Sequence, residues 1–359
     1  MSIPVSLSEL NSYTTIDIVP KTTDVIFKKS PLLTRLLSRN VVNFDGGMAI
    51  QRPLIYAELN GSFFAKGDTM NISYVTTDTA VSVTPKYAYC SIFLPGTDDV
   101  LNRGAHAAFS QVELKFANAS AKMAKILATG IYQDGQTAGG TGVLSPNTSI
   151  DGLLAWIDDG NSSGSYTTSA NSDKAFLAVG GQTRTDLFVT APVFTGATTP
   201  ASGVQGLNAY VNRAWSAFSL QDIQTAFGNA WYGNDFPDLI VTGQSGFNKI
   251  WNATQPNQRY MDSTGDLADV GFKSFRFNGV AEVVVDKYMP SDGTNGVMFL
   301  LNTRYIEFYI TTNKKFQFGF TGFKDAQNTI DLAGQYLWAG NIICVNPRTS
   351  AKLVGTSIL

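Results

Sequence analysis

The sequence predicts an α+β fold in which one long helix lies on β strands drawn from both halves of the chain. Three observations carry that prediction. From Val280 the chain is a succession of short β segments, VAEVVVDKYMP, GVMFLLNTRYIEFYI, KFQFGFTG and QYLWAGNIICV, broken by Pro-Ser-Asp-Gly and Thr-Asn-Lys turns. Between about 98 and 130, apolar residues recur at alternating steps of three and four. Between about 48 and 94, strand-like runs surround a tip of turn residues.

Residues 1–47 read as an arm with one short helix, SPLLTRLLSR. Ser30 can cap it, Pro31 suits the first helical position, and Leu32, Leu33, Leu36 and Leu37 form one face. MAIQRPLIYAEL is then a strand, NGSFFAKGDTM a turn-rich tip, and NISYVTTDTAVSVTPKYAYCSIFL the return. Two strands of about 12 residues would reach roughly 40 Å at about 3.3 Å per residue. A compact chain of this length has a radius of gyration of roughly 21 Å. An isolated two-stranded ribbon is marginal in water. Either the ribbon packs flat on its own domain, or it projects and a neighbouring subunit stabilises it. Phe63 and Phe64, adjacent aromatics in a turn, favour projection.

The long helix is expected over about 99–130, capped by Asp98 or Asp99 and ended by Gly130. Phe109, Val112, Phe116, Ala119, Met123 and Ile126 form its apolar stripe, with Gln111, Glu113, Lys115, Asn118 and Lys122 opposite. Some 25 helical residues span about 38 Å. Residues 133 to about 206 are rich in Gly, Ser, Thr and Asn and read as surface loops around short apolar pieces such as IDGLLAWI. Trp156, Phe176 and Phe194 need somewhere to pack. LNAYVNRAWSAF and SLQDIQTAFGNAW read as helices, the second capped by Ser219 with Asp222 three residues on. FPDLIVTG reads as a strand and SGFNKIWNAT as a short helix capped by Ser245.

Composition narrows function. Hydrophobic residues make up 44% of 359 residues, with 23 Phe and 14 Tyr, which is ample for a core. Charged residues are only 15%, so the surface is built from neutral polar groups, as in proteins that bury much of themselves against partners and also in secreted β proteins. A net charge of −2, without a Lys/Arg run, leaves no nucleic-acid footprint. Cys90 and Cys344 lie in apolar strands and read as buried free thiols. His106 is the single histidine, which removes His-rich zinc sites. No apolar run approaches the roughly 20 residues of a membrane helix, and the N-terminus lacks the pattern of a signal peptide.

No catalytic constellation emerges. Gly243-Gln244-Ser245-Gly246 fails as a nucleophile elbow because Phe247 holds the final position, and His106 lies upstream of Ser245, not downstream. Asp98-Asp99 and Asp158-Asp159 read as turn and cap residues. Glu282 and Asp286 are expected to face solvent. Gly139-Gly140-Thr141-Gly142 lacks the Lys-Ser/Thr of a phosphate loop. Asp235, Asp238, Asp262 and Asp266 lack calcium-loop spacing.

The order of parts, with three segments, resembles the major capsid proteins of tailed double-stranded DNA bacteriophages, the family with the HK97 fold. The segments are DLIVTGQSGFNKIW, FNGVAEVVVDKYMPSDGTNGVMFLLNTRYIEFYI and QYLWAGNIICVNPRTSAKLV. Gly279, Val283 to Val285, Met289-Pro290, Pro347 and Ala351 match the family's strand, Met-Pro and Pro-x-Ala pattern in order. The resemblance implies an HK97-like capsid fold. Its N-arm would be 1–47 and its extended β-hairpin E-loop 48–85. The peripheral domain around the spine helix would take 86–145 and 312–346, and the axial domain 146–311 and 347–359. It also implies a non-enzymatic shell subunit that assembles as hexamers and pentamers into an icosahedral head in the virion, after synthesis in the host bacterial cytoplasm. The expected partners are the chain itself, portal and scaffold proteins and a decoration protein. DNA is contained without specific recognition, and no cofactor, metal or membrane is involved. Phe63, Phe64, Lys66, Leu32 and Leu36 are the expected inter-subunit contacts. Lys66 lies where some members form a lysine–asparagine crosslink, but the partners have no matching motif, so no crosslink is expected. A fibre or carbohydrate-binding surface protein is the alternative, and an enzyme using Ser245 a third reading.

Overall fold

A computed structural model of the chain describes residues 30–55, 59–70, 72–96, 111–133, 135, 149–159, 178–179, 182–183, 207–212, 217–254, 275–289, 296–325 and 331–355. In order, α1 (Pro31–Arg39) leads to β1 (Val41–Phe44), β2 (Ile50–Ile55), β3 (Asp78–Val83) and β4 (Lys86–Leu94). Then come α2 (Gln111–Ile131), α3 (Leu153–Trp156), β5 (Ala178–Val179), β6 (Gln182–Thr183), β7 (Tyr210–Asn212), α4 (Leu220–Ala230), β8 (Leu239–Thr242) and α5 (Gln244–Thr254). The remainder is β9 (Phe275–Phe277), β10 (Ala281–Val285), β11 (Gly296–Leu301), β12 (Ile306–Thr311), β13 (Gln317–Phe320), β14 (Lys324–Asp325), β15 (Leu332–Cys344) and β16 (Ala351–Gly355).

The first sheet is organised by β15. Trp338 pairs with Ala88 of β4 on one side and Gln317 of β13 on the other, and Gly340 pairs with Lys86 and Ile310. β12, β13 and β14 therefore follow one another along one edge of β15, and β4 occupies the other. β1 adds to β12 in parallel. Phe318, at the irregularity between Gln317 and Gly319, takes a left-handed backbone at φ 53°, the conformation a bulge can impose. Helix α2 covers the Ala88, Cys90 and Ile92 face: Met123 and Leu127 are buried, and Phe116 sits edge-on to Phe320 at 4.6 Å. Cys344 is fully buried and Cys90 half-buried, both as free thiols. Burial raises the Cys90 thiol pKa against the opposing pull of Lys122.

The second sheet runs β7-β16-β11-β8-β10-β9. LIVT of β8 and GVMFLL of β11 are buried at every position, as strands covered on both faces must be. Alternation sorts their residues. Ile240, Met298 and Leu353 join Ile223, Phe227 and Ile250 of α4 and α5. Val241, Phe299 and Val354 face the main core, with α1, α3, the end of α2 and the first sheet. At the α2 terminus a Cβ on Gly152 would land on the carbonyl oxygens of Gln133, Gly130 and Ile131, so only glycine admits this approach.

Several expectations change. The ribbon ladder covers six residue pairs, Ile50 to Ile55 against Val83 to Asp78, not two strands of about 12. Tyr210–Asn212, expected in a helix, is a strand because β16 offers it a parallel edge. Helix α2 runs one residue past Gly130, while its expected cap, Phe109 and His106 lie outside the described residues. Phe176, Phe194, Asp262 and Asp266 also lie outside them. Ser245 is inside α5, not before it; the Phe247 amide donates to the Gly243 carbonyl at 3.1 Å. Ser219 does cap α4, accepting from the Gln221 amide at 3.1 Å. β12 hydrogen-bonds into the sheet of β15. Among the described residues, no helix is long and apolar enough to cross a membrane.

Candidate inter-subunit interface

The ribbon base is anchored. Ile50, Val81 and Val83 enter the main core, and Arg52 bridges to Glu307 of β12 at 3.0 Å. Glu307 also accepts from the Tyr309 hydroxyl at 2.6 Å; burial, then that bond, pushes the Tyr309 pKa up. Beyond the base, Asn60 ties the two arms through Ser73 Oγ at 2.8 Å. The tip is a turn built by Asp68, whose carboxylate accepts the Ala65 amide at 2.6 Å while its own amide donates to the Ala65 carbonyl at 3.1 Å. Gly67 supplies the left-handed backbone, φ +99°, that this turn needs.

Outside that base the ribbon buries almost nothing apolar. Met48, Ile55, Leu59, Phe63, Phe64, Met70, Ile72 and Tyr74 are all exposed, Phe63 completely. Lys66 is exposed at the turn apex. This run of exposed apolar side chains makes the ribbon a candidate interaction surface.

Leu32 and Leu36 have the opposite fate and correct the expectation for them. Both are 0% exposed inside the main core, so neither presents surface to a neighbour. Helix α1 is latched within the subunit. The Ser30 hydroxyl accepts the Leu33 amide at 3.3 Å and donates to the Asp286 carboxylate. Asp286 also accepts from the Tyr132 hydroxyl at 2.9 Å and the Tyr288 amide at 2.9 Å. Asp286 is thus buried, not solvent-facing, because three donors replace water. Burial above all, then the Asp286 charge, raises the Tyr132 pKa well above its ordinary value. Arg35 bridges Asp238 at 2.6 Å and Glu282 at 3.5 Å, and Asp238 accepts from the Thr303 amide and hydroxyl.

Asp158 is likewise no turn residue. It pairs with Lys352 at 3.0 Å, both fully buried, and ties β16 to the segment after α3. Sequence reasoning missed both buried acids; an ionisable residue beside an apolar run was the only signal. Among the described residues, no group of His, Cys, Asp and Glu could hold a metal ion.

The fold is that of HK97-type phage capsid proteins. The capsid of cyanophage A-1(L) matches with a TM-score of 0.63 at 14% identity, covering 99% of each chain. The capsid of Myoviridae phage XM1 matches at 0.55 and 10% identity, covering 99% of this chain and 100% of that one. The holo-SrpI encapsulin complex of Synechococcus elongatus matches at 0.56 and 8% identity, covering 98% and 95%. The chain belongs to the SU10 major capsid protein family, whose model matches residues 75–329. It is a structural subunit of a phage head and resides in the virion capsid. No curated protein sequence matches it. The family leaves the fibre or carbohydrate-binding alternative without support.

Proposed function

We propose that the chain polymerises as hexamers and pentamers into an icosahedral head that contains double-stranded DNA, and that the ribbon is its principal hold on a neighbour. The exposed apolar ribbon on a buried, latched base carries this reading. Many such contacts per shell turn modest pairwise affinities into a durable structure through multivalency. Its mechanism is association, with no chemical step.

In this reading 1–47 is the N-arm and 48–85 the E-loop. The peripheral domain combines 86–145 with 312–346, and the axial domain combines 146–311 with 347–359. The pairing of β12 with β15 supports counting Ile306–Thr311 with the peripheral sheet. Portal, scaffold and decoration proteins are the further partners, and the low charge suits DNA held by enclosure.

Negative-stain microscopy of the expressed chain, with a scaffold supplied, should show hollow shells or capsomer rings. A stable monomer under every assembly condition would sink the proposal. Deleting 60–68 should abolish shells and leave the subunit folded; normal shells without the tip would remove the ribbon's role.

A further inference from the structure

We propose that the Ser30–Asp286–Tyr132 junction is a pin that sets the angle between the two sheets, and through it the curvature of the shell. The pin follows from the subunit alone, and its link to curvature rests on the proposed assembly.

Among the described residues, the chain passes directly from one sheet to the other twice. Residues 302–305 carry it from β11 to β12, and 345–350 carry it from β15 to β16. The crossings lie side by side. The Val345 amide donates to the Tyr305 carbonyl at 2.8 Å, and the Asn302 amide donates to the Ser350 hydroxyl at 3.2 Å. Two short adjacent crossings form a hinge line, because a few connecting residues can absorb a rotation of the bodies on either side. The apolar core shared by the sheets holds them together through non-directional contacts. A directional link away from the hinge line is what fixes an angle.

Residues 30–44 supply that link. They are rooted in the first sheet, where β1 pairs with β12 from Val41 opposite Phe308 to Phe44 opposite Thr311. At the hinge, the Asn40 side-chain amide donates to the carbonyls of Thr303 and Ile306, the latter at 2.9 Å. Arg35 reaches Asp238, which also accepts from the Thr303 amide beside the crossing. Ser30 reaches further, to Asp286, whose amide donates to the Thr242 carbonyl at the end of β8. Glu282, the other partner of Arg35, and Asp286 lie about 13 Å apart along the strand at about 3.3 Å per residue. The Tyr132 hydroxyl, just past the end of α2, donates to the same carboxylate at 2.9 Å. Asp286 therefore ties the second sheet to α1 and to the end of α2 at the outermost of the three links, where a bond has the longest lever arm. Ser30, Tyr132 and Asp286 are all buried, so water does not replace a bond that breaks. A closed shell of one radius needs subunits that hold a defined angle.

The test measures the angle in the isolated subunit. Spin labels on ketone-bearing residues that replace Lys324 of β14 and Gln224 of α4, both exposed, report one distance between the sheets by pulsed electron resonance. The otherwise unchanged chain should give one narrow distribution. Ser30→Ala combined with Tyr132→Phe should roughly double its width. Ser30→Ala alone, a milder change, should broaden it less, and Asn40→Ala, at the hinge line, least. Leu36→Ala is the control: it lowers the urea midpoint from inside the core but keeps every pin contact, so its distribution should stay narrow. An unchanged width in the double variant, the greatest broadening in Asn40→Ala, or equal broadening by Leu36→Ala would overturn the pin. By electron microscopy, shells of the double variant should have mixed diameters; one uniform wild-type diameter would overturn the link to curvature. If the wild-type chain forms no shells, the assembly reading fails and the distance measurement still decides the pin.

Discussion

Helix α1 and the ribbon tip offer the same signal in one dimension: clustered apolar residues flanked by polar ones near the start of the chain. Their environments are opposite. Leu32 and Leu36 are sealed in the core, whereas Phe63 and Phe64 are exposed among the described residues. The difference lies in the polar groups around each. Helix α1 comes with Ser30 and Arg35, which find Asp286, Asp238 and Glu282 in distant β segments and pin it to the body. In the ribbon, Asn60 bonds to Ser73 across the two arms and Asp68 to Ala65 within the tip. An amphipathic piece with long-range polar partners belongs to its own subunit; the exposed ribbon is the part that the proposed assembly gives to a neighbour.

That contrast can be broken by stability measurements on the isolated subunit. Leu36→Ala should cost about 2–5 kcal/mol in urea unfolding, the range for a fully buried leucine; a change near zero would return α1 to the interface. Ser30→Ala should cost about 1–2 kcal/mol, since it removes a helix cap and a donor to a buried carboxylate. Tyr132→Phe sharpens the same latch through pH. The folded state holds the Tyr132 proton to higher pH than the unfolded chain, which releases it near pH 10. Stability from this group is therefore fully present below about pH 10 and falls as pH rises above it. Urea midpoints from about pH 9 to about pH 11 should decline less steeply in the Phe variant. Phe63→Ser should move the midpoint least, within about 0.5 kcal/mol, yet lose shells by microscopy. A large loss of subunit stability would mean that the tip packs at home.

Local chemistry was legible where one segment sufficed. Ser30 before Pro31 and Ser219 before LQDI both cap helices because a cap is decided within a turn. Met123 and Ala119 sit on the buried face that their spacing indicates. Failures cluster where a distant partner decides. Tyr210–Asn212 reads as helix until β16 lies beside it. Asp286 and Asp158 read as solvated until Ser30, Tyr132 and Lys352 converge on them. Of the five expected interface residues, the two in α1 were misread because an apolar face does not say whose core it enters.

By itself the sequence determined the strand and helix alphabet, the uncharged surface and the order of parts that resembles a capsid subunit, since periodicity, caps and composition are local. Tertiary structure alone decided which apolar faces were used up. Burial is a relation between segments far apart in the chain, and only the packed subunit shows that the helix leucines have partners and the ribbon phenylalanines have none among the described residues.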